Sequence, residues 1–145
     1  RPHYFDRKYI AKFKFWAKSK GLKNIYFSNP ANILSNDTMF DFAISDMLIS
    51  DTSSILYEYL ITRNPIIVVN TEQVDLHKMP PEMDIASIAN KMAKNDDILK
   101  LIEKVFALHD INNFDKMLQN CFYFNDGKSV ERISDFLSAQ TLSSS

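Results

Sequence analysis

The stretch "MLISDTSSILYEYLITRNPIIVV", residues 47–69, predicts a strand, a helix and a second strand within 23 residues. Met47–Ser50 is a short, largely apolar run, and Ile55–Thr62 has helical apolar spacing that ends at an Arg-Asn-Pro sequence. Ile66–Val69 is a second apolar run of β-branched residues. Continuous runs of this kind are typical of parallel strands that are covered on both faces. The stretch therefore predicts a βαβ unit and places the chain in the α/β class.

Helices are predicted on both sides of this unit. Beyond the unit, the predicted elements are a short strand at 24–29 and helices at 6–20, 38–45, 84–93, 97–108, 111–121 and through Leu137. Gly21 stands where a helix-ending left-handed residue belongs, and Gly127 enables a turn before the last helix. We expect one domain over residues 1–140, a Rossmann-like parallel sheet with flanking helices, and a frayed tail at 141–145.

The composition excludes several classes of protein. A content of 46% hydrophobic and 12% aromatic residues predicts a globular core rather than disorder. Only two glycines are present, so the chain has no Gly-rich phosphate loop. The lone cysteine, Cys121, forms neither an internal disulfide nor a metal cluster and fits a reducing compartment. No apolar run is long enough to span a bilayer, and we expect a cytoplasmic protein without a metal or other cofactor.

Charge is distributed unevenly along the chain. Residues 1–35 carry a net charge of +7 and the remaining residues carry −8, which together give the overall −1. This asymmetry predicts an anionic partner near the N-terminus, either a membrane surface or a poly(phosphodiester) acceptor. The alternative, which composition favours, is an ordinary amphipathic helix with its lysines in water and Trp16 in the core. Nucleic acid is not expected, because the rest of the chain is acidic.

The junction after the first strand carries candidate binding residues. In open α/β sheets, ligands bind outside the carboxyl ends of the strands. Four polar residues occupy that edge: Asp51, Thr52, Ser53 and Ser54. A helix start with hydroxyl groups favours a phosphate, and Glu58, one turn along, could accept hydrogen bonds from a ribose diol. The pattern indicates a nucleotide site, whereas a Ser/Thr-rich junction taken alone more often indicates a helix cap.

Three segments together resemble one protein family. The first, "SDMLISDTSSILYEYLITRNPIIVV" (45–69), resembles the segment that bacterial CDP-glycerol glycerophosphotransferases carry as approximately aDvLITDYSSvxFDfxxlxkPiif. The second, "RPHYFD" (1–6), is similar to the Arg-x-His-Pro of these teichoic-acid polymerases. The third, "NDGKSVERISDFL" (125–137), is similar to their DGkaSeRivdyI. The order and spacing of the three segments also match.

The resemblance implies a transferase of the GT-B fold, in which two Rossmann-like domains face each other across a cleft. It implies that this chain is the C-terminal domain, which binds the nucleotide donor. Ser53 and Ser54 would contact the donor pyrophosphate, Glu58 would replace the family's Asp, and His3 would be catalytic. The implied reaction moves glycerol phosphate from CDP-glycerol to a hydroxyl of an anionic cell-surface polymer and releases CMP. An attacking hydroxyl needs a base, and histidine titrates near neutrality.

Three positions depart from the family pattern. Tyr4 replaces the Pro after His3, Thr52 replaces the Tyr of the family's DYSS element, and Glu58 adds one methylene to the family's Asp. Because the chain begins with Arg1, we expect an inactive fragment that lacks the N-terminal domain of the same protein. Two alternatives stay open: a nucleotide-sugar glycosyltransferase domain in capsule or lipopolysaccharide synthesis, and a non-catalytic domain that binds an anionic surface. A peripheral position on the inner face of the plasma membrane is compatible with the basic segment.

Two further residues have competing interpretations. His109 follows a predicted helix and is interpreted as a surface or loop residue. Arg132 on the last helix is expected to pair with Asp135, three residues along, although it could instead reach a phosphate.

Overall fold

A computed structural model describes residues 7–27, 38–51, 53–69, 80–124 and 126–142. The chain divides into two compact units, one within residues 1–44 and the other within residues 45–145. The proposed site residues His3 and Thr52 lie outside the described residues, as does Tyr4. The extent of a single domain over residues 1–140 stays a prediction.

The first unit contains two helices, α1 (Arg7–Ser19) and α2 (Thr38–Ala43). Helix α1 ends in a Schellman motif, because the Leu22 N–H donates to the Ala17 carbonyl and the Gly21 N–H to the Lys18 carbonyl, both at 3.1 Å. Gly21 has φ +66°, a conformation that costs glycine little because it has no Cβ. The prediction of a left-handed helix end is confirmed.

Two expectations for the first unit are wrong. Residues 24–27 form no strand, because none of the described strands pairs with them, and the last residues of the predicted strand lie outside the described part. Trp16 is 46% exposed rather than buried in a core. The buried apolar residues of the described part of this unit are Ile10, Ala17 and Phe42, too few to cover the aromatic side chains of α1.

The second unit contains the sheet. Its elements in chain order are β1 (Leu48–Ser50), α3 (Ile55–Tyr59) continued by a 3-10 turn (Leu60–Thr62), β2 (Ile66–Val68), 3-10 turns at Pro81–Met83 and Ile85–Ser87, β3 (Asn90–Lys91), α4 (Ile98–Leu108), α5 (Ile111–Cys121) and α6 (Ser129–Leu142). Helix α6 continues past its predicted end at Leu137, and the residues after Leu142 lie outside the described part.

The three strands form a parallel sheet in the order β1-β2-β3. Leu48 is in register with Ile66, and Ile67 is in register with Asn90. The predicted βαβ unit and the parallel pairing are confirmed, and the fold is α/β with a small parallel sheet and flanking helices. Strand β2 is buried at all three positions because it is central, whereas Ile49 of the edge strand β1 is partly exposed.

The predicted helix at 84–93 is wrong. The Asp84 carboxylate accepts from the Ala86 N–H and starts only a single 3-10 turn. The chain then pairs with β2, and the Met92 N–H donates to the Val68 carbonyl at 2.9 Å. The free edge of β2 needs hydrogen-bond partners, and this requirement outweighs the local helical pattern.

The helices of the second unit cover this sheet with one apolar core. Its buried residues are Leu56, Tyr59, Leu60, Ile66, Ile67, Val68, Ile85, Val105, Phe114, Met117 and Leu118. Asp97 and Asp110 cap α4 and α5 by accepting backbone N–H hydrogen bonds, which sets where these helices begin. Among the described helices, none combines the length and the apolar character that crossing a membrane requires.

Candidate functional site

The carboxyl ends of the three parallel strands meet at one edge of the sheet. The Val69 N–H donates to the Ser50 carbonyl at 2.8 Å, which holds the ends of β1 and β2 together. Asp51 follows β1 directly and is exposed, Ser53 is half-buried, and Ser54 is exposed. The structure therefore brings these three predicted site residues to the edge where ligands of parallel sheets bind.

Ser54 does not cap α3 with its side chain. It occupies the N-cap position but has helical backbone angles, φ −58° and ψ −23°, and its hydroxyl makes no capping hydrogen bond. A capping Ser normally has an extended backbone, which aims the hydroxyl at the next N–H groups. The helix-cap interpretation of this junction is therefore wrong for Ser54, which is exposed and whose hydroxyl makes no capping hydrogen bond.

Glu58 lies one turn beyond Ser54 on the same side of α3. The Glu58 N–H donates to the Ser54 carbonyl at 3.3 Å, so the two residues stack along the helix axis. The Glu58 side chain is exposed. The spacing on which the sequence prediction rested is present, whereas the binding roles of these residues stay predictions.

A polar network at the amino ends of β1 and β2 anchors the C-terminal end of α3. The sequence did not lead us to predict this network. Tyr59 is 1% exposed, and its hydroxyl lies 2.9 Å from the Ser45 hydroxyl. The Asn64 side chain donates to the Ser45 carbonyl at 2.8 Å. These bonds join the residues that precede β1 and β2, so the helix that carries Ser54 and Glu58 is anchored at its far end. The Asn64-Pro65 pair before β2 is the sequence feature from which this network could have been predicted.

Arg63 connects this edge to the α4–α5 junction. It is a non-glycine residue with φ +59°, which costs about 1–2 kcal/mol. Its guanidinium pairs with Asp115, and its carbonyl accepts a 2.8 Å hydrogen bond from the His109 ring. His109 is half-buried and packs edge-on against Phe114. It lies in the short loop between α4 and α5, which agrees with its interpretation as a surface or loop residue. No local sequence signal marks these long-range contacts.

Cys121 is a half-buried thiol at the end of α5. Its sulfur donates weakly to the Met83 carbonyl at 3.8 Å, and burial raises the pKa of the thiol. A raised pKa keeps the thiol protonated and poorly nucleophilic. Within the described ranges, no group of three or more His, Cys, Asp or Glu side chains is placed to hold a metal ion.

Arg132 pairs with Asp126 rather than with Asp135. One guanidinium nitrogen donates to the Asp126 carboxylate at 2.9 Å and a second donates to its other oxygen. The guanidinium also lies 3.8 Å from the centre of the Phe124 ring. Gly127, at φ +74°, makes the turn that carries Asp126 back over the start of α6, and this local turn competes successfully with helical spacing.

Comparison with protein families gives a match over most of the chain. The sequence profile of the CDP-glycerol:poly(glycerophosphate) glycerophosphotransferases matches residues 1–139. The chain belongs to this family. The match contains the turn after β1 and the start of α6, so the resemblance of the three segments is confirmed. Comparisons with curated proteins and with solved structures gave no significant match.

The membership makes this chain part of a transferase family, and the Asp126–Arg132 pair lies in one of its matching segments. The pair gives the start of α6 a pH dependence. Hydrogen bonds from Arg132, and next from the Lys128 N–H, hold the pKa of Asp126 below its ordinary value of 3.8. Because the folded pKa is depressed, the stabilisation is present above the ordinary carboxyl pKa and is lost as pH falls through the folded value.

We expect the replacement Arg132→Gln to raise the Asp126 pKa toward its ordinary value, measured by NMR titration of the side-chain carboxyl. Lys128→Gln is the matched control, because it removes a positive charge nearby but leaves the backbone N–H that Asp126 accepts from. An Asp126 pKa that is the same in both variants would show that the guanidinium does not set it.

Proposed function

We propose that this glycerophosphotransferase family member binds a CDP-activated donor and serves the transfer of glycerol phosphate, or a related polyol phosphate, to a hydroxyl of a cell-surface polymer. One observation carries the proposal: the family match includes the Ser53-Ser54 turn, which lies at the carboxyl edge of a parallel sheet. We further infer that the unit with the sheet is the donor-binding half of a GT-B arrangement.

The turn after β1 has the groups that a pyrophosphate requires. The exposed Ser54 hydroxyl is not used by the helix cap, so it can donate to a phosphate oxygen. Ser53, one residue earlier, offers a second hydroxyl from a half-buried position. Hydrogen bonds to charged oxygens are stronger than those between neutral groups, so two such donors give a useful share of the binding energy.

Glu58 provides the complementary group for a sugar. A carboxylate only accepts hydrogen bonds, and a ribose diol offers two donors to it. A phosphate at Ser54 and a ribose one helical turn along, about 5 Å away, match the length of a nucleotide. This arrangement supports a nucleoside diphosphate donor whose phosphates lie over the turn after β1.

The proposed chemistry is an in-line displacement at phosphorus. The acceptor hydroxyl oxygen attacks the phosphorus that bears the glycerol, a new P–O bond forms, and the bond to the bridging oxygen breaks. CMP leaves with that electron pair, and the hydroxyl proton passes to a base, for which we propose His3. Such a transfer depends on positioning and on stabilising the leaving phosphate, and the two serine hydroxyls serve the second need.

A thermal-shift assay with CDP-glycerol, CDP, CMP, UDP and GDP tests the proposal. A ligand at one hundred times its Kd stabilises the folded chain by about 2.7 kcal/mol, which raises Tm by about 5–10 °C. We expect this shift with CDP-glycerol and with CDP. A larger shift with UDP or GDP would favour a nucleotide-sugar glycosyltransferase. No shift with any cytidine nucleotide, in a chain with a cooperative melting transition, would refute donor binding.

A further inference from the structure

Tyr57 lies on α3 beside the two residues for which we propose contacts to the phosphates and the ribose. It follows Ser54 by three residues and precedes Glu58 by one, and side chains three and four residues apart share one side of a helix. Tyr57 is half-buried whereas Ser54 and Glu58 are exposed, so its ring borders the surface that they form. The family segment aDvLITDYSSvxFDf has Phe at this position, so the hydroxyl is a feature of this chain rather than of that pattern.

The Tyr57 hydroxyl can still act as a hydrogen-bond donor. Its oxygen accepts a hydrogen bond from the Ile85 N–H, and none of the described residues accepts its proton. Burial raises the pKa of the phenol above its ordinary value of 10.0; the Ile85 N–H lowers this pKa, and the nearby Asp84 and Cys121 groups raise it. The hydroxyl therefore keeps its proton at neutral pH and has it available for a ligand.

Asp84 places a carboxylate close to this hydroxyl. It directly precedes Ile85, whose N–H contacts Tyr57, and its Oδ1 accepts a 2.9 Å hydrogen bond from the Ala86 N–H. That bond leaves the second carboxylate oxygen, Oδ2, as an acceptor. The structure thus brings a hydrogen-bond donor and a hydrogen-bond acceptor together at the border of the proposed donor surface.

Helix α5 fixes the turn that carries Asp84. The Asn120 side chain donates to the Glu82 carbonyl at 2.8 Å, and the Cys121 thiol donates weakly to the Met83 carbonyl at 3.8 Å. Contacts from α3 on one side and α5 on the other hold this turn in place in the absence of a ligand. A binding group that is already in position loses little entropy when the ligand arrives, which favours selective binding.

We propose that Tyr57 and Asp84 contact the base of the bound nucleotide and select cytosine over uracil. Cytosine offers the N3 acceptor beside the N4 amino donor, which complements a hydroxyl donor beside a carboxylate acceptor. Uracil has the reverse arrangement, so its N3–H would meet the hydroxyl proton and its O4 would meet the carboxylate. This inference rests on the proposed function, because it assigns the base of the donor whose phosphates lie at Ser54.

The affinities of the chain for CDP and UDP test this inference. Two paired hydrogen bonds to one base edge discriminate against the wrong base by about 10- to 100-fold. We expect isothermal titration calorimetry to show that CDP binds tighter than UDP by this factor. The two nucleotides have the same ribose and phosphates, so the ratio of their Kd values reports on the base alone.

Two variants are expected to change this ratio in different ways. Asp84→Asn keeps the oxygen that accepts from the Ala86 N–H and replaces the other oxygen with an amino donor, which suits the O4 of uracil. We expect it to weaken CDP, strengthen UDP and move the Kd ratio toward UDP at least about tenfold. Tyr57→Phe removes the donor to N3, so we expect about fivefold weaker CDP binding and little change for UDP.

Each variant has a matched control in the same unit. Asp110→Asn changes a carboxylate with the same local geometry, because Asp110 accepts from the N–H of the residue two positions along, Asn112. Tyr123→Phe removes the hydroxyl of a tyrosine that is 89% exposed. Both controls are expected to keep the Kd ratio of the parent chain. Urea unfolding verifies that each variant is folded at the temperature of the calorimetry.

Three results would overturn the inference while donor binding stands. The first is equal affinity of the parent chain for CDP and UDP, and the second is an Asp84→Asn ratio equal to that of the parent. The third is an equal loss of both nucleotides in Tyr57→Phe, which would mean that the hydroxyl only holds the turn. If the folded parent chain binds neither nucleotide, donor binding itself is refuted, and the assignment of the base falls with it.

Discussion

Replacing Tyr59 by alanine is expected to destabilise the unit that contains the sheet by about 3–5 kcal/mol, the usual loss for truncating a buried aromatic residue. Tyr59 is 1% exposed, so removing its ring leaves a buried cavity in the core. Domains of this size are stable by only about 5–15 kcal/mol, so this loss removes between about one fifth and all of the stability of the unit.

Tyr59→Phe is the matched control for this prediction. It keeps the ring and removes only the hydroxyl that lies 2.9 Å from the Ser45 hydroxyl, so we expect a loss of about 1 kcal/mol. Urea unfolding followed by circular dichroism measures both variants. Similar midpoints for the alanine and phenylalanine variants would mean that packing of the ring does not hold α3 against the sheet.

The double replacement Ser53→Ala/Ser54→Ala is expected to reduce the affinity for CDP-glycerol at least 100-fold. A hydrogen bond to a charged group contributes about 1.5–3 kcal/mol, and 1.4 kcal/mol is a factor of ten in Kd. Stability is expected to change by less than about 0.5 kcal/mol, because the Ser54 hydroxyl makes no capping bond. Isothermal titration calorimetry and urea unfolding measure the two quantities.

The combination of these two results distinguishes binding from capping. Ser87→Ala, at an exposed serine elsewhere in the same unit, is the control and should bind the donor as the parent chain does. Unchanged donor affinity in the double variant would remove Ser53 and Ser54 from the site. A loss of about 1 kcal/mol in stability with unchanged affinity would instead restore the capping interpretation.

Much of the fold could be predicted because its causes are local. The βαβ unit follows from two apolar runs on either side of a helical pattern, and its parallel pairing is present in the structure. The prediction of α5 over 111–121 agrees with the observed Ile111–Cys121. Gly21 and Gly127 both have positive φ where a turn or helix end was predicted. The position of Ser54 and Glu58 on one side of α3 follows in the same way from helical spacing.

Several errors arise where contacts between distant parts of the chain decide the structure, whereas the error at Arg132 arises from a local turn. Strand β3 forms where a helix was predicted, because the edge of β2 offers backbone hydrogen-bond partners that a single 3-10 turn does not provide. Trp16 is exposed because few apolar residues surround α1. The spacing of apolar residues along a helix does not show how many residues from other segments pack against it.

The sequence by itself determined the βαβ unit, most of the helices, where several of them end, and which family the residues resemble, because caps, glycines and apolar periods act within a few residues. Only the tertiary structure decided that the Ser54 hydroxyl is left free by the helix cap, that α3 is anchored through Tyr59, and that α1 exposes its aromatic residues. Those properties depend on backbone angles and burial, which arise when segments far apart in the chain pack together.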